Sequence, residues 1–463
     1  MKEYLWPQKV YTKDGVGTEN LFRKQALQIW LAEKKTTVFG DGDYVILDFG
    51  AELCGGIRIL THRGKDTPVR IRFGESLTEC CSEIGGEQNA TNDHSLRDLT
   101  VHLQNFSDMS FGQTGFRFVR LDFGGEAKIK SVVAENRIFK KPALYRYEGD
   151  DPQIAAIYQA AKRTIDLCIS GGYVWDGVKR DRLVWIGDMG TEVIALTALY
   201  GRLPCIERSL DFVRKQTPLP GWMNNYPMYS MWWIIILADY YEKTGVKDFI
   251  QKQMPYLSGL LKQMDGCICA DGTLNYPSYF VDWPTHNQPD ELAGVRAINI
   301  IAMKKAIFLQ ETFGQDSALA RELLERLLKI EITAQTSKQV LGLKYFATGL
   351  SEEDKAKLTA GGAKGMSTFL GYYILKAVAS FDKEKAVAMM KEYYGAMLDK
   401  GATTFWEDFD VEWTKNSGRI DAFPEENQRD IHGDFGAYCY KGFRHSLCHG
   451  WSAGVIGFLK EEL

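Results

Sequence analysis

The chain has 463 residues, 45% hydrophobic and 25% charged, enough apolar material for two or three domains with ordinary cores and too much for a disordered chain. Its 56 basic and 60 acidic residues leave a net charge of -4 with no long like-charge run. That balance lacks the basic footprint of a nucleic-acid binder and suits a neutral or sugar-like partner.

The first residues, MKEYLWPQKVYTKDG, hold no apolar core of signal-peptide length, which points to a cytoplasmic protein. The segments YVILDFG, GIRIL, VRIRFGES and FRFVRLDF that follow are short and rich in β-branched and aromatic residues. Val69, Arg70, Ile71, Arg72 and Phe73 alternate with the period of a half-buried strand. These segments predict a β-sandwich over residues 1–145. THRGKDTP between two of them reads as a hairpin connection, and SEIGGEQNATNDHSLRD as a long polar loop. Nine cysteines and seven histidines are scattered without metal-ligand spacing, which favours reduced thiols and no metal.

After residue 145 the texture becomes helical. IAAIYQAAKRTIDLCI, TEVIALTALYG, IERSLDFVRKQ, MWWIIILADYYEKTG, FIQKQMPYLSGLLKQM, AINIIAMKKAIFLQETFG, ALARELLERLLKIEI, STFLGYYILKAVASF, KAVAMMKEYYGAML and WSAGVIGFLKEEL place apolar residues three and four apart. About ten to twelve helices are expected. The most apolar run, MWWIIILA, is far shorter than the roughly 20 residues that cross a bilayer, so no membrane partner is expected. The helices share no short sequence period and have long aromatic-rich connections, as helical hairpins closed into a toroid around a pocket would.

Between two of these helices lies DGVKRDRLVWIGDMG (176–190). Asp188 stands at a helix N-cap position, and Lys179, Arg180 and Arg182 could form an exposed ion-paired loop with Asp176 and Asp181. A merely solvated loop has little use for Trp175, Leu183, Val184 and Trp185, whereas a carbohydrate site needs carboxylates for hydroxyls beside an aromatic face.

DGVKRDRLVWIGD resembles the signature of the α-L-rhamnosidases of glycoside hydrolase family 78. YFVDW (279–283), STFLGYY (367–373), TTFWEDFD (403–410) and SLCHGW (446–451) are similar to family segments in the same chain order. VILDFGAELCGGIRI, IRFGESL and GFRFVRLDF look like the β-sandwich that precedes the family's catalytic domain. The resemblance implies a multidomain α and β fold, with an N-terminal β-sandwich followed by a six-hairpin (α/α) toroid over 146–463.

By the same resemblance the protein hydrolyses terminal α-L-rhamnosides or a related sugar by inversion, without a cofactor. Asp181 is implied as general acid, Glu407 as general base, and Asp176 and Asp188 as carboxylates that grip sugar hydroxyls, with His449 lining the pocket. Arg182, Trp185, Trp283 and Trp406 join the expected substrate-binding set, and Trp222 and Tyr226 are further candidates for apolar contact. Inversion requires two carboxyls roughly 6.5 to 9.5 Å apart, one protonated and one activating water. The family usually has glutamate where this chain has Asp181, so the carboxyl here is one methylene shorter. Relatives commonly continue into a further β-sandwich, whereas this sequence stops at Leu463. Two alternatives stay open: a non-hydrolytic carbohydrate-binding relative, and a lyase or unsaturated-uronide hydrolase using Lys179, Arg180 and Arg182 to bind a uronate.

Overall fold

The computed structural model describes residues 2–12, 14–83, 97–436 and 441–463. It is a mixed α and β structure whose six-stranded sheet precedes its long helices, with a small two-stranded sheet, Ile169–Ser170 and Tyr173–Val174, after the first of them. The strands of the larger sheet are β1 (Lys2–Leu5), β2 (Lys9–Thr12), β3 (Thr37–Thr61), β4 (Thr67–Gly74), β5 (Asp98–Leu103) and β6 (Asp108–Arg137), with a short helix α1 (Leu77–Cys81) after β4.

YVILDFG and GIRIL, separate in the sequence reading, belong to the single strand β3, and FRFVRLDF lies inside β6. Both strands change partners along their length. Residues 44–48 of β3 lie opposite 122–118 of β6, and residues 55–60 lie between two other parts of β6, 136–131 and 114–108. One apolar core draws from both regions: Val45, Leu47, Val69, Ile71 and Leu121 together with Ile57, Ile59, Ile129 and Val132. In β4 the alternation holds, because Val69, Ile71 and Phe73 are buried while Arg70 pairs with Asp98 and Arg72 with Asp122.

THRGKDTP does not close a hairpin. It joins β3 to β4, but β4 pairs with β5 and β6. Turn residues signal a change of direction, not which strand becomes the neighbour. Most of the predicted polar loop, residues 84–96, lies outside the described residues.

The helices of the second half are α2 (Pro152–Leu167), α3 (Met189–Tyr200), α4 (Pro204–Gln216), α5 (Pro227–Thr244), α6 (Lys247–Asp265), α7 (Glu291–Thr312), α8 (Ala318–Leu327), α9 (Lys338–Thr348), α10 (Glu352–Thr359), α11 (Gly371–Ala379), α12 (Lys383–Asp399) and α13 (Val455–Glu462). α9 and α10 were not anticipated. α9 is interrupted by Gly342 and lysines, and α10 buries little beyond Leu358.

Helix α3 packs on α5, α5 on α7, α7 on α9, α9 on α11, α11 on α13 and α13 back on α3. Helices in such a succession have neighbours on several sides, and their sequences reflect it. α3 buries all 12 of its residues, and α5 buries the whole MWWIIILA run. α4 is amphipathic, burying Cys205, Ile206, Ser209, Leu210 and Val213 along one stripe. Among the described residues no helix is long and apolar enough to cross a membrane, and the eight described cysteines are free thiols.

The two halves are joined by buried polar contacts. Arg117 of β6 pairs with Asp48 at 2.9 Å and donates to the carbonyl of Gly401, and Glu52 N donates to Thr403 Oγ1.

A close approach of α9 to α11 supplies a stability test. A Cβ on Gly342 would stand 3.0 Å from the backbone nitrogen of Ile374 and 3.2 Å from its Cα. Alanine gains ~1 kcal/mol of helix propensity over glycine, but overpacking a rigid backbone contact costs about 1–3 kcal/mol. Gly342→Ala should therefore lower the unfolding free energy in a denaturant titration, and a more stable variant would show that the helices can part at no cost.

Candidate active site

The 176–190 segment enters the helical half at the start of α3. Asp176 N donates to Leu183 O, and Leu183 N returns a bond to Asp176 Oδ1 at 2.8 Å, closing the segment into a compact loop. At its apex Asp181 and Arg182 both adopt left-handed backbone, with φ of 48° and 54°. Two consecutive non-glycine residues in that region are strained, and such strain clusters where a side chain must be aimed. Asp181 is buried and faces a small cavity of about 30 Å³ shared with Asp176, Trp185, Asp188, Tyr226, Tyr229, Phe280, Trp283, His449 and Trp451.

Asp188 is not a cap. Its backbone is already helical, and its side chain accepts no capping bond. Its Oδ2 instead accepts from Tyr229 Oη at 3.4 Å, and its Oδ1 lies 3.8 Å from His449 Nε2.

His449 is the hub of the site. Its Nε2 lies 3.3 Å from Glu407 Oε1, 3.8 Å from Asp188 Oδ1 and 3.9 Å from Asp176 Oδ2. Backbone contacts fix the ring, because residues 177 and 449 form a β-bridge and Gly450 N donates to Asp176 O at 2.6 Å. The bridge is tight at this glycine, since a Cβ at position 177 would stand 3.2 Å from the His449 ring and from Cys448 O.

Glu407 is 2% exposed and lies behind His449. Its Oε2 accepts from Ser446 N at 3.0 Å and from the guanidinium of Arg180. Its carbonyl accepts from Thr368 Oγ1 and from the Trp451 indole at 2.9 Å. Four of the sequence segments thus meet at this residue: 176–190, 367–373, 403–410 and 446–451. The fifth, YFVDW, is tied in through Asp282, which accepts from Ser367 Oγ and caps the turn at Trp283.

Burial and mutual repulsion sort the carboxyls. Desolvation, with Asp181 and Asp188 nearby, pushes Asp176 well above the ordinary aspartate range. Desolvation, Glu407 and Asp181 do the same to Asp188. Burial also pushes Glu407 up, but Arg180 and the nearby His449 and His445 outweigh it, and its pKa falls below the ordinary 4.5. Desolvation lowers His449 to about 4, so its imidazole is neutral at neutral pH.

Aromatic rings line the other side in an unbroken chain. Trp185 meets Tyr226 and Tyr229 at centroid separations of 6.3 and 6.0 Å, both tyrosines contact Phe280, and Phe280 meets Trp283 at 5.0 Å. Trp406 is elsewhere: it is fully buried and packs edge-on against Phe409. Trp222 packs on Tyr276 and lines a separate groove. Tyr229, Phe280 and Trp451 were missed as wall residues, although Phe280 and Trp451 stand inside the quoted segments. Their neighbours in sequence do not say which way a ring turns.

The basic residues turn away from the cavity. Lys179 pairs with Glu79 at 2.7 Å, Arg180 lies against Glu407 and Asp181, and Arg182 donates to Gln113 O beside Trp175. A uronate-binding cluster would need to face the sugar, so this placement does not favour the lyase alternative.

No family model and no curated protein matches the chain. Solved structures do. A rhamnosidase from Klebsiella oxytoca with rhamnose bound superposes with a TM-score of 0.77 at 19% identity, over 100% of this chain and 96% of that one. A GH78 family rhamnosidase of Bacillus sp. GL1 gives 0.70 at 18% identity, over 95% of this chain and 48% of that one. An α-L-rhamnosidase from Dictyoglumus thermophilum gives 0.68 at 15%, over 99% and 51%. The chain thus spans nearly the whole of the first and about half the length of the other two. At these identities the likeness is one of architecture, and the chain has the fold of the α-L-rhamnosidases.

Proposed function

We propose that the protein is a glycoside hydrolase acting on terminal α-L-rhamnosides or a related deoxy sugar. On this reading residues 1–145 form a β-sandwich and residues 146–463 a six-hairpin (α/α) toroid with the pocket at one end. The observation that carries the proposal is the meeting of Asp176, Asp188 and Glu407 within 3.9 Å of His449, beside a cavity that Asp176, Asp181, Asp188 and His449 share with a wall of aromatic rings. Carboxylates serve sugar hydroxyls, and rings serve the apolar face and the methyl of a deoxy sugar.

The two catalytic roles divide by environment. Glu407, kept ionised by Arg180, is suited to take a proton from water. Asp181, on the strained loop, is the proposed acid that protonates the leaving oxygen, while Asp176 and Asp188 hold the sugar. With the base acting on water and not on the anomeric carbon, the product would be the inverted sugar. Hydrolysis of an aryl α-L-rhamnoside, followed by NMR of the first anomer released, tests the reading. No turnover on any aryl glycoside, with rhamnose still bound, would favour the carbohydrate-binding alternative.

Three outcomes follow for the roles. Glu407→Gln removes the base with little change of shape, so turnover should fall by ~100-fold or more while calorimetry still detects sugar binding. Asp181→Asn should cripple substrates with poor leaving groups and spare activated aryl ones, which depart without a proton. Equal losses on both would assign proton delivery to another group. Because the folded Glu407 pKa is depressed, activity should persist as pH falls to 4.5 and be lost only as it passes below that value. In Arg180→Met the pH profile of kcat/KM should show that acidic limb moved upward, and an unmoved limb would remove Arg180 from this role.

A further inference from the structure

Behind Glu407 the β half inserts its own carboxylates into the helical half. Glu75 follows β4 directly and is 1% exposed. Its Oε2 accepts from Leu447 N at 2.5 Å, and its Oε1 accepts from Ser446 Oγ at 3.1 Å. These are the residues that hold the base: Ser446 N donates to Glu407 Oε2, and Glu407 N donates back to Ser446 O at 2.9 Å. Two hydrogen bonds therefore separate Glu75 from the Glu407 carboxylate.

The same carboxylate belongs to a buried charge network. Among the described residues, Glu75, Glu79 and His432 are the grouping whose ligand-type atoms lie close enough to hold a cation. That place is filled by the ammonium of Lys179, 2.7 Å from Glu79 Oε1, 3.4 Å from Glu75 Oε2 and 3.4 Å from His432 Nε2. Lys179 also donates to the carbonyls of Phe443 and His445, at 2.9 Å to the latter. His432 ties Ser76 Oγ to the His445 carbonyl, at 2.7 and 2.9 Å. The segment before His449 is thus held from the β half at Ser446 and Leu447, through Glu75, and at Phe443 and His445 through Lys179 and His432, which Glu79 and Ser76 of the β half engage in turn.

We infer that Glu75 is a positioning residue for the general base, so that the β half is part of the hydrolytic machinery and not an appendage to it. The inference rests on the hydrolase reading above for its kinetic consequence. Glu75 touches neither the cavity nor Asp176 or Asp188, so its loss should disturb the base and leave the sugar grip intact.

The test pairs kinetics on an aryl α-L-rhamnoside with hydrogen exchange of the full-length chain. Glu75→Ala should lower kcat by about tenfold or more, the scale of a lost charge-assisted hydrogen bond, with KM kept within about threefold. Peptides covering residues 445–449 should exchange faster, while those of α3 and α5 do not. Glu75→Gln keeps an acceptor for Leu447 N and should recover part of the kcat, and it also serves should Glu75→Ala fail to fold. Unchanged kcat, or kcat and KM falling in step with exchange faster throughout the chain, would overturn the inference. If the wild type cleaves no glycoside, the hydrolase reading fails. The exchange comparison still decides whether Glu75 holds the loop.

Discussion

The site depends on one buried cation offsetting several carboxyls. Two carboxylates about 4 Å apart repel by roughly 4 kcal/mol at an effective dielectric near 20. Asp176, Asp188 and Glu407 each lie within 3.9 Å of a single imidazole, which is itself neutral and offsets none of their charge. Arg180 resolves the conflict for one of them. It lies against Glu407 and 3.7 Å from Asp181, so the charge of Glu407 is retained, while desolvation and the neighbouring carboxyls drive Asp176 and Asp188 toward their neutral forms. A set of identical functional groups thereby acquires different protonation states at one pH, which is what division into acid, base and hydroxyl partners requires.

The consequences reach outward from that arrangement. A buried ion pair is costly to desolvate and is tolerated only where its remaining hydrogen bonds are met. Glu407 meets this condition with Ser446 N, and its backbone carbonyl is held by Thr368 and Trp451. These partners come from two distant segments, 367–373 and 446–451, and Arg180 from a third, so the helical half must close on itself for Glu407 to be satisfied. The β half contributes in kind, through Arg117 on the Gly401 carbonyl and through the carboxylates behind Ser446.

Much of this site was legible in the sequence, because dense polar and aromatic residues in short segments have few structural uses. The 176–190 loop, Glu407, His449, Trp185 and Trp283 come from such segments, and the structure brings them together. Trp406 was misread because it stands beside Glu407 in sequence, yet side chains of adjacent residues turn different ways and its ring fills the core. Asp188 was legible both as a sugar-binding carboxylate and as a cap of α3, and its helical backbone and lack of a capping bond set the second aside. Glu75 was invisible. An acid in the run FGES carries no local signal, and its importance arises only when residue 75 is folded against residue 447. The same limit explains the β3–β4 connection, where partner choice is set by the sheet and not by the turn.

The balance of wall and charge also narrows the ligand class. Lys179, Arg180 and Arg182 bring three positive charges to the catalytic loop, and a site built for a charged sugar would turn at least one toward the cavity. Here they turn to Glu79, to Glu407 and to a backbone carbonyl, leaving acids and rings around the space itself. A uronate placed there would meet Asp176, Asp181 and Asp188 directly, with Arg180 already engaged by Glu407 and Asp181, a mismatch of the kind that excludes wrong partners. A neutral sugar meets no such penalty. Its hydroxyls can donate to Asp176 and Asp188, and an apolar face can lie on the chain of rings from Trp185 to Trp283. The basic side chains of the 176–190 loop thus bear on the proposed selectivity by where they are not: engaged by Glu79, Glu407 and a backbone carbonyl, they leave acids and rings to line the cavity, a lining suited to an uncharged ring.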